Sequence, residues 1–316
     1  MSIRKKFISL TSPFTSILPL DAMASFTGQD FVIPFYHIVS DEPCPHVQNL
    51  YKYKNIKEFE ADLNYLTKHY QPISAGDMPD VLAGKYKGKK IMLLTFDDGL
   101  RQMYDVVAPI LLRKGIPAIF FINNDFIDNK ALMFRYKVSL AWNLNLDQFR
   151  LANSEKDAEV MEEVAGVITT EFDDFLRDYK PYMTSDQIRS LIGQGFSIGA
   201  HSLSHPFYSE IPFGEQLHQT LASVDGLQRE FGLQQRLFAF PFTDDGVSKA
   251  FFDKVFNEGK LDFTFGGAGI KNDVHPRQFQ RIPMEGWKAT AQQTLKSEYL
   301  YYLLRMPFGK NTIQRQ

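Results

Sequence analysis

Short apolar runs alternate with amphipathic segments along most of the 316-residue chain. Residues 31–39, 90–96 and 118–122 predict strands, and the second of these runs is apolar enough for a strand buried on both faces. Residues 56–70 carry apolar side chains at helical spacing, and a second helix is predicted over 102–114, where Gly115 and Pro117 end it. Such alternation predicts an α/β fold, in which helices cover a largely parallel sheet that is closed into a barrel or left open.

Residues 129–182 interrupt this alternation, and the segment is polar and helical in pattern. We expect a helical insertion on the rim of the domain, and a solvated helical face is favoured over a functional lid. From Thr184, whose T-x-x-Q pattern predicts a helix cap, the helices 184–193, 215–231, 248–258 and 289–305 alternate with the strands 196–200, 236–240, 263–266 and 281–284. We expect an N-terminal extension over 1–30, a single domain over 31–287, and a C-terminal helix and tail over 288–316.

Composition narrows the class of protein. Hydrophobic residues make up 44% of the chain and charged residues 23%, which is typical of globular proteins. The net charge of -2 argues against nucleic-acid binding, which usually requires a basic surface. Its single cysteine, Cys44, cannot form an intramolecular disulfide and lies in a stiff loop without a neighbouring base, so a nucleophilic role is not expected. No stretch reaches the ~20 apolar residues that span a bilayer. Polar residues interrupt the apolar part of the basic N-terminal segment, which slightly favours a cytoplasmic location, while the small residues at 22–24 leave export open. No pattern specifies an oligomeric state.

The first candidate for chemistry is the sequence Asp97-Asp98-Gly99, directly after the predicted strand 90–96. The carboxyl ends of strands are where α/β folds place ligands and catalytic groups. Successive side chains at such a corner point in different directions, so one carboxylate can bind a cation while the other stays free as a base. The same three residues also form ordinary turns, so this motif alone leaves a structural role open.

The second candidate is the pair His201 and His205, which follows the predicted strand 196–200. Imidazoles at positions i and i+4 can chelate one ion, whereas a lone histidine is more often structural. With Asp98 they form a set of two histidines and one carboxylate, which leaves positions open for water and substrate. We expect one divalent metal ion there, and zinc is the ion that we favour.

Together the two motifs resemble those of the polysaccharide deacetylase family, the family 4 type carbohydrate esterases that share a NodB-like homology domain. In that family, T-F-D-D-G supplies a base and then a metal ligand, and H-[ST]-x-x-H supplies two further ligands. The resemblance therefore assigns the base to Asp97 and the metal ligands to Asp98, His201 and His205. It covers about residues 31–287 and implies a distorted (β/α) barrel, often with seven strands.

One departure from the family pattern concerns its third motif, F-R-x-P-Y-G, whose arginine steadies the catalytic aspartate. Residues 238–243 read F-A-F-P-F-T, so Ala239 stands where the arginine is usual. We predict that Arg281, which follows the extended segment 278–280, supplies the missing charge and pairs with Asp97. The alternative is an arginine that ends a buried strand and has no role at the site.

The second departure concerns the general acid, which in the family is a late histidine. No histidine follows His275, and His275 lies in a predicted loop where a core or surface role is favoured over catalysis. His37, at the end of the first predicted strand, is better placed. We therefore predict His37 as a substrate-binding residue, together with Pro241 and Phe242 of the third motif.

The resemblance implies a metal-dependent hydrolase that removes N-acetyl groups from the amino sugars of a poly- or oligosaccharide. A divalent ion activates water and polarises an acyl carbonyl, Asp97 would accept the proton, and backbone N–H groups of residues 240–242 would stabilise the oxyanion. Two alternatives remain at this stage. One is a deacylase of a lipid-linked or intracellular sugar, and the other is a carbohydrate-binding pseudoenzyme that has lost its arginine and its acid.

Overall fold

The computed structural model describes residues 3–11, 14–15, 19–143, 171–286 and 288–315. Its strands are β1 Phe31–Val32, β2 Pro34–Tyr36, β3 Gln71–Pro72, β4 Ile91–Met92, β5 Leu94–Phe96, β6 Ala118–Ile122, β7 Ser197–Ala200, β8 Leu237–Ala239, β9 Phe263–Gly266, β10 Asn272–Asp273, β11 Gln278–Gln280, β12 Ile282–Pro283 and β13 Thr312–Ile313. Its α-helices are α1 Ile3–Thr11, α2 Leu20–Thr27, α3 Ile56–His69, α4 Met78–Leu82, α5 Ala108–Lys114, α6 Phe134–Asn143, α7 over residues 171–179, α8 Ser185–Gly193, α9 Phe213–Phe231, α10 Lys249–Asn257 and α11 Ala291–Arg305.

The central sheet has eight parallel strands in the order β11-β9-β8-β7-β6-β5-β2-β12. Its two edge strands, β11 and β12, belong to one extended segment that changes partner at Arg281. The Arg281 N–H donates to the carbonyl of Gly266, the last residue of β9 (3.2 Å), and the Ile282 N–H donates to the Ile33 carbonyl before β2 (2.8 Å). The expected distorted barrel is thus confirmed, but with eight strands in place of seven, because this change of partner divides the last strand.

The two faces of the barrel strands bury different side chains. Along β6, Phe120 belongs to the large apolar cluster that includes the helices, whereas Ile119 and Phe121 belong to a separate cluster. Successive side chains of a strand point to opposite faces, so the second cluster fills the inside of the barrel. Ala239 and Phe265 are further members of this interior cluster. The barrel is therefore a packed core, and a polar group inside it needs partners.

Most predicted helices are present. Asn55 and Thr184 cap α3 and α8, and the residue at the third position of each helix completes a capping box. Before α5 the chain forms a π-helical turn, Met103–Val107, in place of a regular helix. Of the predicted insertion, α6 and α7 are helical, while residues 144–170 lie outside the described part of the chain.

The N-terminal extension contains α1 and α2, which the sequence pattern did not predict. Met23 and Ala24 of α2 are buried, and Phe7 of α1 packs on Tyr301 of α11 with ring centroids 5.3 Å apart. Within the described residues, no helix combines the length and the hydrophobicity needed to cross a membrane.

Candidate active site

The two adjacent aspartates diverge where the chain leaves β5. Asp97 and Asp98 are both buried, and Asp98 and Gly99 both have positive φ angles, 75° and 68°. A Cβ on Gly99 would lie 3.0 Å from Ile122 Cγ2, so glycine suits this corner in two ways. A left-handed conformation is strained at a non-glycine residue, and such strained residues are common at functional sites. Its consequence here is that the two carboxylates face different partners.

Asp97 is held by Arg281. The guanidinium donates from Nη1 to Oδ1 (2.6 Å) and from Nη2 to Oδ2 (2.8 Å), so the contact that we predicted between these residues is present. Arg281 is only 1% exposed, and its Cζ lies 4.5 Å from the Phe35 ring centroid and 5.3 Å from that of Phe121. Burial alone would raise the pKa of Asp97, but the Arg281 guanidinium outweighs it and, with His201, holds that pKa below its usual value. Asp97 is therefore a buried carboxylate that stays ionised.

Ala239, at the usual arginine position of the third motif, belongs to the apolar cluster inside the barrel. Its carbonyl oxygen accepts a hydrogen bond from His201 Nδ1 (2.8 Å). Since a carbonyl can only accept, Nδ1 carries the proton and Nε2 has a free lone pair. The backbone of the altered motif thus fixes the tautomer of a predicted metal ligand, while the charge comes from Arg281.

Asp98, His201 and His205 converge as the spacing predicted. One possible ligand atom from each lies within 4.8 Å of the others. Asp98 Oδ1 is 3.5 Å from His201 Nε2 and 3.4 Å from His205 Nε2, and no hydrogen-bond partner for this buried oxygen occurs in the described chain. Asp98 Oδ2 instead accepts from the Tyr136 hydroxyl at 2.7 Å. The three residues therefore fit a divalent metal ion, which would satisfy the unpaired oxygen.

The protonation states of this cluster also suit metal binding. Burial lowers the pKa of His201 to about 4, so its imidazole is neutral near pH 7, as a ligand must be. Burial opposes ionisation of Asp98, but the imidazoles of His205, His37 and His201 hold its pKa well below the usual range. The cluster thus offers one carboxylate and neutral imidazole nitrogen.

Polar residues behind the histidines shape the loop that carries them. Ser202 and His205 have positive φ angles of 70° and 66°, and the His205 N–H donates to Ser202 Oγ (2.9 Å). The buried Asn123 side chain donates to the His201 carbonyl, and Gln219 Oε1 accepts from the N–H groups of residues 203 and 204 (3.1 and 3.2 Å). Asn123 directly follows β6, and this strand-end position could have identified it from the sequence as a site residue. No local pattern identified Gln219.

A pocket of about 610 Å³ opens over the cluster. Asp98 and His205 line it, as do His37, Tyr136 and Phe242. Pro241, which we predicted beside Phe242 as a substrate-binding residue, is buried and is not part of this lining. His275 stacks on Phe252 at 5.1 Å between centroids and lies outside the pocket, as its loop position suggested.

His37 enters the pocket with a carboxylate behind it. Glu285 Oε2 lies 2.8 Å from His37 Nδ1 and accepts from the His37 backbone N–H at 2.8 Å, and Oε1 accepts from the Ile38 N–H at 3.1 Å. Burial would lower the pKa of His37, but Glu285, with Asp98 and Asp97, raises it to about 9. A protonated imidazole with a fixed Nδ1 presents its Nε2–H as a proton donor. Glu285 was not predicted from the sequence.

The backbone of the third motif offers fewer oxyanion donors than we expected. The Phe240 N–H donates to the Phe265 carbonyl (2.9 Å), and proline at 241 has no N–H. Within the described chain, the Phe242 N–H has no acceptor. Phe242 has a φ of 55°, and its ring stacks on Phe207 with centroids 3.7 Å apart. Of residues 240–242, only Phe242 therefore has a free amide.

Comparisons with known proteins agree with this fold. The family model for polysaccharide deacetylase matches residues 84–251, more than half of the chain, and this match includes both motifs. No curated protein sequence matches the chain significantly.

Several solved structures share the fold. The Streptococcus pyogenes deacetylase PplD, solved in complex with acetate, is 14% identical with a TM-score of 0.58, over 85% of this chain and 97% of that chain. IcaB from Ammonifex degensii is 16% identical with a TM-score of 0.56, over 85% and 96% of the two chains. A de-N-acetylase from Aggregatibacter actinomycetemcomitans is 16% identical with a TM-score of 0.55, over 85% and 99%. Identities this low show a common fold, whereas the family model matches the sequence itself. On that match, the chain belongs to the polysaccharide deacetylase family.

Proposed function

We propose that this protein is a metal-dependent hydrolase that removes N-acetyl groups from the amino sugars of a poly- or oligosaccharide. One observation carries the proposal: Asp98, His201 and His205 converge beside a second carboxylate, Asp97, which Arg281 holds ionised. This combination of a metal-ligand set and a separate base is what amide hydrolysis by activated water requires. Membership of the family agrees with it.

Zinc is the ion that we propose for the cluster. Two imidazoles and one carboxylate form a common catalytic zinc set, with further positions left for water and substrate. The unpaired Asp98 Oδ1 and the lone pair on His201 Nε2 supply the required donors. A bound divalent cation lowers the pKa of its water toward ~7 and polarises a carbonyl.

Asp97 is the proposed general base. Its Oδ2 lies 3.9 Å from His201 Nε2, so the carboxylate faces the region where the metal ligands converge. The two Arg281 hydrogen bonds fix its orientation and keep it unprotonated, ready to accept a proton from the attacking water. Tyr136 orients Asp98 in a similar way. The Tyr136 hydroxyl donates to Asp98 Oδ2, so that Oδ1 is left to bind the cation.

His37 is the proposed general acid. Its ring lines the same pocket as Asp98, and Glu285 orients it from behind and favours the protonated form. Expulsion of the amine needs such a donor, and this transfer typically contributes ~10²–10⁴-fold to the rate. The Phe242 N–H is the proposed backbone donor to the oxyanion. With a base, an acid and a ligand set present together, activity is a better interpretation than a pseudoenzyme.

The test combines metal analysis with acetate release. The purified protein should contain about one equivalent of zinc and release acetate from a panel of chito-oligosaccharides, and chelation should abolish this release until zinc is restored. Asp97→Asn should keep its zinc and lose ~10²-fold or more of the rate, because the amide preserves the shape but cannot accept the proton. The control is Asp186→Asn, whose side chain is 96% exposed on α8. An Asp97→Asn enzyme that retained more than about a tenth of the wild-type rate would place the base elsewhere.

A further inference from the structure

We propose that the pocket recognises a sugar that carries an oxyanion, a carboxylate or a phosphate, and that Arg135 binds this group. The inference rests on the proposed deacetylation and specifies its substrate class. Arg135 lies in the first turn of α6, lines the pocket and is half-buried.

The guanidinium of Arg135 has no acidic partner in the described part of the chain. It lies over the ring of Phe242, whose centroid is 5.3 Å from Arg135 Cζ. Other arginines with buried side chains are paired: Arg281 with Asp97, and Arg315 with Asp244 and Asp273. A guanidinium that stacks on an aromatic ring still presents its N–H groups at its edge, where they match the geometry of a carboxylate or phosphate.

Phe242 gives this cation a fixed position relative to the metal ligands. Its ring is stacked on Phe207 at an interplanar angle of 6°, and its centroid lies 4.4 Å from that of His205. Because Arg135 Cζ is 5.3 Å from the same Phe242 centroid, it lies no more than 9.7 Å from the His205 ring centroid. An acetamide at the metal ligands and an oxyanion at Arg135 can therefore belong to one sugar or to two adjacent sugars.

The acidic side chains that line the same pocket, in the part of the chain that the structure describes, form no ion pair with Arg135. Glu285 accepts hydrogen bonds from His37 and two backbone N–H groups, and Asp98 is the proposed metal ligand. Asp245 also borders the pocket, but it is exposed, so solvent and salt screen its charge. An anionic substituent thus meets an unpaired guanidinium in a partly desolvated setting, where charge-assisted hydrogen bonds are strong.

The test compares three substrates of matched length where possible: a neutral chito-oligosaccharide, an N-acetylated oligosaccharide that contains a uronic acid, and N-acetylglucosamine phosphate. For wild-type enzyme, kcat/KM should be higher for at least one anionic substrate than for the neutral one. Arg135→Gln should reduce the anionic-to-neutral ratio of kcat/KM about 10- to 100-fold, mainly through KM. Arg135→Lys should retain part of the preference, since it keeps the positive charge but cannot donate two parallel hydrogen bonds to the anion. The control, Arg113→Gln on the exposed face of α5, should preserve the wild-type ratio.

The result also distinguishes the two sources of oxyanion, because the carboxylate and phosphate substrates are measured separately. A ratio that is the same in Arg135→Gln and wild type, or a wild-type preference for the neutral substrate, would overturn the inference. Calorimetric binding of the same three sugars to zinc-loaded Asp97→Asn separates this inference from the proposed function. If no sugar is deacetylated but the anionic one binds in an Arg135-dependent manner, the deacetylation proposal fails and the anion site stands.

Discussion

Replacement of Arg281 by methionine tests how the site keeps a buried carboxylate ionised. The substitution removes two hydrogen bonds, of 2.6 and 2.8 Å, and the cation that balances Asp97. Asp97 is only 2% exposed, so water cannot replace the lost partner without rearrangement of the barrel. Arg281 also donates from Nε to the Gly266 carbonyl at 3.1 Å, so the change affects the closing strand as well.

The expected cost follows from the burial of the pair. Removal of one partner of a buried ion pair costs about 3–5 kcal/mol, because the other charge stays buried without compensation. For a chain of this size, each kcal/mol lowers Tm by about 2–4 °C, so Tm should fall by roughly 6–20 °C. Catalysis should fall by ~10²-fold or more, since the base is neither oriented nor kept ionised. Arg281→Lys should lose less stability, because it keeps the charge but cannot form the two-pronged contact.

The decisive assay is a double-mutant cycle on metal-free protein, with thermal unfolding as the readout, so that no bound cation compensates Asp97. If the uncompensated charge is the cause, Asp97→Asn in the Arg281→Met background should recover about 1 kcal/mol or more, because no charge then remains buried. Arg277→Met is the matched control, since Arg277 precedes β11, stacks on Phe256 and has no acidic partner among the residues that the structure describes. A double variant no more stable than Arg281→Met would refute the electrostatic explanation and leave a packing role.

Three further predictions concern the metal, the proton donor and a buried ion pair of the C-terminal segment. His201→Ala should lose its zinc by elemental analysis while its far-ultraviolet circular dichroism stays unchanged, and full occupancy would exclude His201 as a ligand. Glu285→Gln should lower the pKa of His37 from about 9; since the acid must be protonated, the decline of kcat at high pH should move to lower pH, and an unchanged profile would exclude His37 as the acid. Arg315→Met should lower stability by about 3–5 kcal/mol in thermal unfolding, because its guanidinium pairs with two buried acids, whereas the exposed Arg113→Met should change it by less than about 0.5 kcal/mol.

The metal-ligand set could be predicted because each of its members is tied to a strand end. Asp98 follows β5, and His201 follows β7, so the parallel arrangement brings them to the same end of the barrel. The order of the apolar runs alone is enough to predict this convergence. Strand ends that meet at one end of a parallel barrel therefore make short motifs informative about three-dimensional contacts.

Residues that hold the site's side chains in place could not be predicted in the same way. Tyr136 reaches Asp98 from α6, inside the predicted insertion, and Glu285 reaches His37 across 248 positions of sequence. Tyr136 belongs to no strand-end motif, and a tyrosine in a helix is more often a packing residue. Glu285 does follow the end of β12, but no second chemical residue beside it marked the position. The N-terminal helices were missed for another reason: α1 and α2 are short segments that pack on α11, and such tertiary packing outweighs weak local propensity.

Ala239 and Arg281 show why a departure from a motif need not leave the buried carboxylate unpaired. The requirement at this site is physical: a buried carboxylate beside the metal ligands needs a cation close by. Any strand whose end points into the barrel can supply that cation, and the closing segment does so from between β11 and β12, where Arg281 already leaves one partner strand for the other. Ala239 makes a backbone contact at its position, since its carbonyl accepts a hydrogen bond from His201 Nδ1. The cation and the contact to His201 thus come from two different strands of this chain. A search for the arginine only at its usual position would therefore class the site as decayed, although its carboxylate is paired.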